Sequence, residues 1–226
     1  MPSVNVRLSL PDDSPCELFH TATKLSPYQF RQWYYQQPPV TEHPAIAKWM
    51  QAPFKEYLSL PQTELPPPAS AAAQAGQVDA ACLAALLQQP AEISSLELYL
   101  WVNAASGMMP GLHHYNKRTH RLESFPAAGP LLPTAQLRRH MPEHLSALLF
   151  ISGVVTRVRL QHGERGYRYM LFETGQVLER MRSQAAALGF SLALMPDFYD
   201  DAVNKLLGLD GVEESVLHMA GVLMPT

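Results

Sequence analysis

An α+β domain is the reading this chain supports: a mixed sheet flanked by helices, one long core helix, and a proline-rich N-terminal arm. Three observations carry it. Residues 147–155 form a nearly continuous apolar run, suited to a central strand buried on both faces. Tyr167–Leu188 lacks proline, and Met170, Leu171, Val177, Leu178, Met181 and Ala185 recur at roughly helical spacing. The 20 prolines concentrate between Pro27 and Pro90, including Pro38-Pro39, Pro44, Pro53, Pro61 and Pro66-Pro67-Pro68. No single long helix tolerates that density, because each proline removes a donor and disfavours helix at the residue before it.

Taken in order, residues 1–68 read as the extended arm with short helical pieces, and residues 69–226 as the domain. The arm's aromatics (Phe19, Tyr28, Phe30, Trp33, Tyr34, Tyr35, Trp49, Phe54 and Tyr57) need an apolar surface to cover. That surface is either the chain's own domain or a second subunit. Ala71–Gln77 reads as a connector. Asp79 can cap a helix over 80–89, with Leu83, Leu86 and Leu87 on one face. Leu96–Val102 alternates and carries large side chains, which predicts a strand. Gly107–Gly111 makes a turn, His113–Tyr115 a second strand, Asn116–Arg118 its turn and Arg121–Glu123 a third, an antiparallel meander. Thr134–Met141 is expected to form a short helix. Gly189 follows the long helix as a C′ glycine. Ser191–Met195 is a strand, Asp200 is expected to cap a helix through Leu207 stopped by Gly208, and Val216–Leu223 is the last strand.

Composition narrows the function classes. The chain has 226 residues, 47% hydrophobic and 16% charged, with a formal net charge of −3. That balance suits a buried core and argues against disorder and against a nucleic-acid partner. No charge-free apolar stretch of about 18 residues occurs, so no membrane span is expected. Met1–Leu10 lacks the basic start and apolar run of a signal peptide, and a cytoplasmic location is the expectation. Two cysteines, Cys16 and Cys82, are too few for a disulfide framework or a four-thiolate zinc site.

His140-Met-Pro-Glu143-His144 matches the H-x-x-E-H string of some zinc proteases. That chemistry needs both histidines on one helix face, and Pro142 starts a helix near Met141 instead, leaving His140 outside it. Adjacent His113 and His114 point to opposite faces of a strand and do not share a metal easily. No metal site is expected. No G-x-S-x-G, Walker A or G-x-G-x-x-G string occurs. Gly163-Glu-Arg165-Gly-Tyr167-Arg168-Tyr169 gathers two arginines and two tyrosines at the entrance of the long helix. Such a turn can hold a phosphate or carboxylate, or its arginines can clasp Glu173.

The string Gly163-Glu-Arg-Gly-Tyr-Arg-Tyr-Met-Leu-Phe-Glu173-Thr-Gly175, then Ala185-Ala-Ala-Leu-Gly189 and Leu206-Leu-Gly-Leu-Asp210, resembles the C-terminal half of SagB-type dehydrogenases, of the nitroreductase-like flavoprotein superfamily. Ser95-Leu-Glu-Leu-Tyr99, Pro110-Gly-Leu-His-His-Tyr115-Asn and His120-Arg-Leu-Glu123 resemble that family's meander. Phe19-His20-Thr-Ala-Thr-Lys24 resembles its N-terminal opening, and Leu60-Pro61 the start of its oxidase domain. The resemblance implies an intertwined α+β dimer with FMN at the interface. It also implies oxidation of azolines in peptide natural products, beside a cyclodehydratase or carrier-protein assembly line.

The chain departs from the family at flavin positions. The family's early arginine-rich phosphate string has no counterpart, since no arginine occurs from Gln32 to Lys117. Part of the family's chain is absent between Pro61 and Ser94. Gln88-Gln89-Pro90-Ala91 replaces a Pro-Ser-x-Gly string, and Gln176 and Glu179-Arg180 replace a His and a Gln-Asn. Met195-Pro196 stands where a Gly-Gly approaches the flavin, and a proline there offers no N–H. A Lys-Tyr pair of some azoline oxidases falls on Gln161-His162. The resemblance therefore leaves Arg165, Arg168 and Arg180 as candidate FMN phosphate ligands, and His162, a base near neutral pH, with Tyr167 as candidate catalytic residues. Two functions follow. One is a partner or substrate-presenting subunit with a degraded flavin site. The other is an active FMN dehydrogenase acting on an azoline-like or aminoacyl substrate. The expected partners are a second copy or a related oxidoreductase, with a carrier protein or peptide as substrate.

Overall fold

The computed structural model of the chain describes residues 14–28, 44, 54–67, 78–88, 95–126 and 137–223. Seven strands form one sheet: β1 (Gln62–Glu64), β2 (Leu96–Val102), β3 (Gly111–Asn116), β4 (Arg121–Ser124), β5 (Leu145–Val154), β6 (Ser191–Met195) and β7 (Glu214–Leu223). Their order across the sheet is β1-β4-β3-β2-β5-β7-β6. The meander β2-β3-β4 forms as its turn residues require, and the apolar β5 is central, with β2 on one side and β7 on the other. The α+β architecture with a helix-flanked sheet and long core helix is the expected one. The sheet's sense differs from a mixed one: its named strand pairs are all antiparallel. The parallel pairing is the isolated bridge Asp79–Ser106.

Period-two alternation along β2 and β5 sorts the core into two layers. Leu96, Leu98, Leu100 and Val102, with Ala147, Leu149 and Ile151, face α2 (Ala80–Leu87) and α4 (Gly166–Ala187). Tyr99, Trp101, Leu148 and Phe150 face the other way, against Val203 and Leu207 of α5 (Asp200–Leu207). Asp79 caps α2 by accepting the Cys82 N–H at 2.8 Å. Gly189 and Gly208 follow α4 and α5 with φ of 80° and 70°, the left-handed geometry a C′ glycine provides. The cap of α5 is Tyr199, not Asp200, which is the first helical residue.

The sequence reading missed α3 (Val155–His162). The β-branched run Val154-Val155-Thr156 reads as more strand, yet the chain turns directly from β5 into helix. A short 3₁₀ turn, Gly163–Arg165, then joins α3 to α4. The expected helix near Met141 is also corrected: residues 138–142 are not helical, and His144, with φ of 58°, leads straight into β5. The earlier part of that stretch, 134–136, lies outside the described residues, as do the connector 71–77, Pro90-Ala91 and the aromatics Phe30, Trp33, Tyr34, Tyr35 and Trp49.

Two described parts of the arm, its first helix and the segment 54–64, contact the chain itself. α1 (Pro15–Ala22), capped by Ser14 and started by Pro15, lies against the entrance of α4. Gln62–Glu64 pairs with β4, so the sheet begins before residue 69.

Candidate functional site

Among the described residues, ionisable side chains gather where segment 54–57 crosses the second face of the sheet. Alternation puts Glu97 and Tyr99 of β2 on that face, with His114 of β3 opposite Tyr99 and Glu123 of β4 opposite His114. Glu97 is fully buried and accepts hydrogen bonds from Arg157 Nη1 of α3 at 2.5 Å and from the Lys55 backbone N–H at 3.0 Å. Its other oxygen accepts no hydrogen bond and lies 3.5 Å from His114 Nε2 and 3.7 Å from Lys117 Nζ. His114 Nδ1 lies 2.8 Å from Glu123 Oε2, and Asn116 and the Tyr57 N–H donate to the same carboxylate. Alongside, Lys55 Nζ donates to Glu214 at 2.7 Å and to Tyr99 Oη at 2.9 Å, while Tyr99 and Ser152 hydroxyls donate to Glu214.

These neighbours set the protonation states. Burial alone would raise the Glu97 carboxyl, but His114, Lys117 and Arg157 outweigh it and hold it at about 2. Burial would lower His114, but the carboxylates of Glu123 and Glu97 raise it above its ordinary value. Burial brings Lys117 down to about 8 against the pull of Glu97. The cluster ties segment 54–57, the meander and α3 together. Glu97, His114 and Glu123 are inaccessible, whereas Lys55 and Glu214 at the cluster's edge keep part of their side chains exposed. Sequence reasoning passed over it because Leu96-Glu97-Leu98 looks like ordinary alternation with the acid facing water. The partners of Glu97 come from β3, the turn after it, α3 and segment 54–57, the nearest of them 17 residues away, beyond the reach of any local pattern.

The residues singled out from the sequence lie elsewhere, around the start of α4. Arg165 Nη1 donates to the Thr23 carbonyl at 2.9 Å. Arg168 donates to Thr23 Oγ1 at 2.6 Å and to the His20 carbonyl at 3.0 Å, with its guanidinium over the Phe19 ring at 5.5 Å. Both cations thus serve the carbonyl end of α1, where unpaired C=O groups and the helix dipole favour positive charge. The alternative clasp with Glu173 does not form; Glu173 accepts instead from Ser95 Oγ. Tyr167 packs edge-on against Phe19 at 5.6 Å, whereas His162 lies over Tyr169 at 4.6 Å, so the two candidate catalytic side chains have separate aromatic partners. Arg180 is exposed and has no partner among the described residues.

A flavin phosphate is dianionic and needs convergent donors. Arg165 and Arg168 point at α1, and Arg180 stands twelve residues beyond Arg168, about 18 Å along the helix axis at 1.5 Å per residue. Within one chain the three do not fit an FMN phosphate. Among the described residues no group of histidine, cysteine or acidic side chains is arranged to hold a metal ion, and no helix is long and apolar enough to cross a membrane.

Comparison with known proteins places this arrangement. A nitroreductase protein of Methanocaldococcus jannaschii is 26% identical over 114 residues, which is 50% of this chain and 58% of that relative. A nitroreductase structure from Anabaena variabilis superposes with a TM-score of 0.71 at 20% identity, covering 91% of this chain and 45% of that one. The chain therefore spans about half the length of each. The Escherichia coli microcin synthetase McbBCD complex, with truncated pro-MccB17 bound, gives a TM-score of 0.58 at 15% identity, over 91% of this chain and 85% of the matched one. At these identities the structures share the fold alone. The nitroreductase family model matches residues 68–221, and the chain belongs to that family.

Proposed function

We propose that this chain is a SagB-type member of the nitroreductase family, at work in modified-peptide biosynthesis as a partner or substrate-presenting subunit. In this reading a related oxidoreductase beside it holds the flavin. The observation that carries the reading is the engagement of Arg165 and Arg168 with the last turn of α1. Members of the family generally bind FMN, and these arginines are the candidates left to hold its phosphate here. A second feature supports a partner: Tyr167 and Leu171, and next to them Tyr169 and Phe172, expose apolar surface on α4, with Phe172 65% exposed. The microcin synthetase neighbour is a multi-protein complex with a pro-peptide bound. We carry that arrangement over as the kind of assembly in which this chain works, with a peptide or carrier-borne substrate.

The test is to titrate FMN into the purified chain and follow flavin fluorescence. The expected result is no saturable quenching at low micromolar concentration. Stoichiometric quenching by the chain alone would overturn the reading. It would restore an FMN dehydrogenase acting on an azoline-like or aminoacyl substrate, with His162 and Tyr167 as the groups to mutate first.

A further inference from the structure

The described arginines divide unevenly. Arg118, Arg121, Arg157, Arg159 and Arg182 each pair with a carboxylate, and Arg165 and Arg168 bind α1. Arg138, Arg139 and Arg180 have no hydrogen-bond or ion-pair partner among the described residues. Two of these three are adjacent and line the same cleft. That cleft, of about 480 Å³, lies between the segment before β5 and the turn after β6, walled by Arg138, Arg139, His140, Asp197, Phe198 and Tyr199. Its volume falls in the range of small-molecule sites.

The walls are fixed independently of any ligand. The Tyr199 N–H donates to the Leu137 carbonyl at 2.8 Å, which ties the two segments together. Leu137, one residue before the arginines, is buried in the core, and Phe198 packs against the same cluster. Asp197 lines the cleft yet pairs with neither arginine, so the guanidinium forks and the carboxylate remain separately available. Planar guanidinium groups match carboxylate and phosphate oxygens two at a time. Phe198 and the half-exposed Tyr199 offer ring faces, and Asp197 can accept a hydrogen bond while repelling a second negative charge.

We infer that this cleft binds a small planar anion: an aromatic carboxylate or aryl phosphate whose ring also carries a hydroxyl or N–H. The charged head lies at Arg138 and Arg139, the ring against Phe198 and Tyr199, and the donor on Asp197. This site uses none of the α1 or α4 contacts that carry the partner reading, and it shares with that reading only Pro196, which also lines the cleft.

The experiment titrates the full chain with 4-hydroxybenzoate, benzoate and phenyl phosphate, with inorganic phosphate as the ringless control. Isotope-edited NMR follows the amides of 137–140 and 197–199. Saturable shifts are expected there at about millimolar ligand, with 4-hydroxybenzoate tighter than benzoate by roughly threefold. The pair R138A/R139A should weaken binding by about tenfold or more, and R180A should leave it unchanged. D197N should abolish the preference for the hydroxylated ring. Circular dichroism establishes that each variant is folded. Binding unaffected by R138A/R139A, an equal loss in R180A, or shifts with inorganic phosphate as large as with the aromatic acids would overturn the inference. Equal affinity for benzoate and 4-hydroxybenzoate would overturn the role of Asp197.

Discussion

Glu97 is the residue on which most of the buried charge converges. It faces Arg157, Lys117 and His114 at once, so removing its charge leaves cations stranded in the interior. Glu97→Gln should cost about 3–5 kcal/mol, the range for breaking a buried pair on one side, read as a shifted urea midpoint. The same carboxylate shapes the acid limb of stability. Its folded value near 2 lies below the ordinary 4.5, so its contribution is complete above pH 4.5 and is lost as pH falls through 2. His114 works the other way: its value is raised, so its contribution is complete below the ordinary 6.5 and declines as pH rises through the folded value. Lys117, brought down to about 8 from 10.5, returns some stability only as pH climbs across that interval. Stability should therefore peak between about pH 4.5 and 6.5. In Glu97→Gln the acid decline should flatten; an unchanged acid limb would remove Glu97 from this role.

At the scale of elements, the approach of α3 to α4 depends on one glycine. A Cβ at Gly166 would meet the Val158 carbonyl oxygen at 2.5 Å, a backbone atom that cannot swing aside. Gly166→Ala should part the two helices and cost about 1–3 kcal/mol. Gly175, mid-way along α4, has nothing within 4 Å of its would-be Cβ. Gly175→Ala should instead stabilise the chain by about 0.5–1 kcal/mol, through helix propensity alone. Thermal melts of the two variants moving in the same direction would sink this account. The elements themselves were largely legible. β2 and β6 fall on the residues their patterns name, and α4 begins one residue before Tyr167. What escaped were features whose cause is tertiary. α3 keeps only Arg157 and Val158 buried, too little to print a periodicity, and α1 has no buried residue at all, being held by two arginines far along the chain. The arginines of the α4 entrance were legible as important, but their partner, the end of a short exposed helix, was not.

For the whole molecule, the partner proposal rests on exposed aromatic and aliphatic groups on α4 and on or just after α1. Leu18, Leu25 and Tyr28 add to Leu171 and Phe172 on the outside of the described structure. The proposal of a partner here expects a dimer or a hetero-complex in light scattering at micromolar concentration. Phe172→Glu should shift it toward monomer while leaving the melting temperature within about 2 °C, since an exposed position costs little within one chain. A strict monomer in both forms would count against the partner role.

The place of β7 in the sheet bears on how the chain is made. It comes after every other strand in the sequence but lies between β5 and β6, so Leu145 waits for Leu223 before it gains its neighbour. While a ribosome is still translating the intervening residues, β5 offers one bare edge of apolar backbone and β6 has nothing to join. The nascent chain thus carries an open, sticky strand until residues 214–223 have been made. A stop codon anywhere in residues 214–223 would make that transient state permanent. Such truncations should therefore appear in the insoluble fraction or bound to chaperones, even though they remove no residue of the buried charge cluster beyond Glu214.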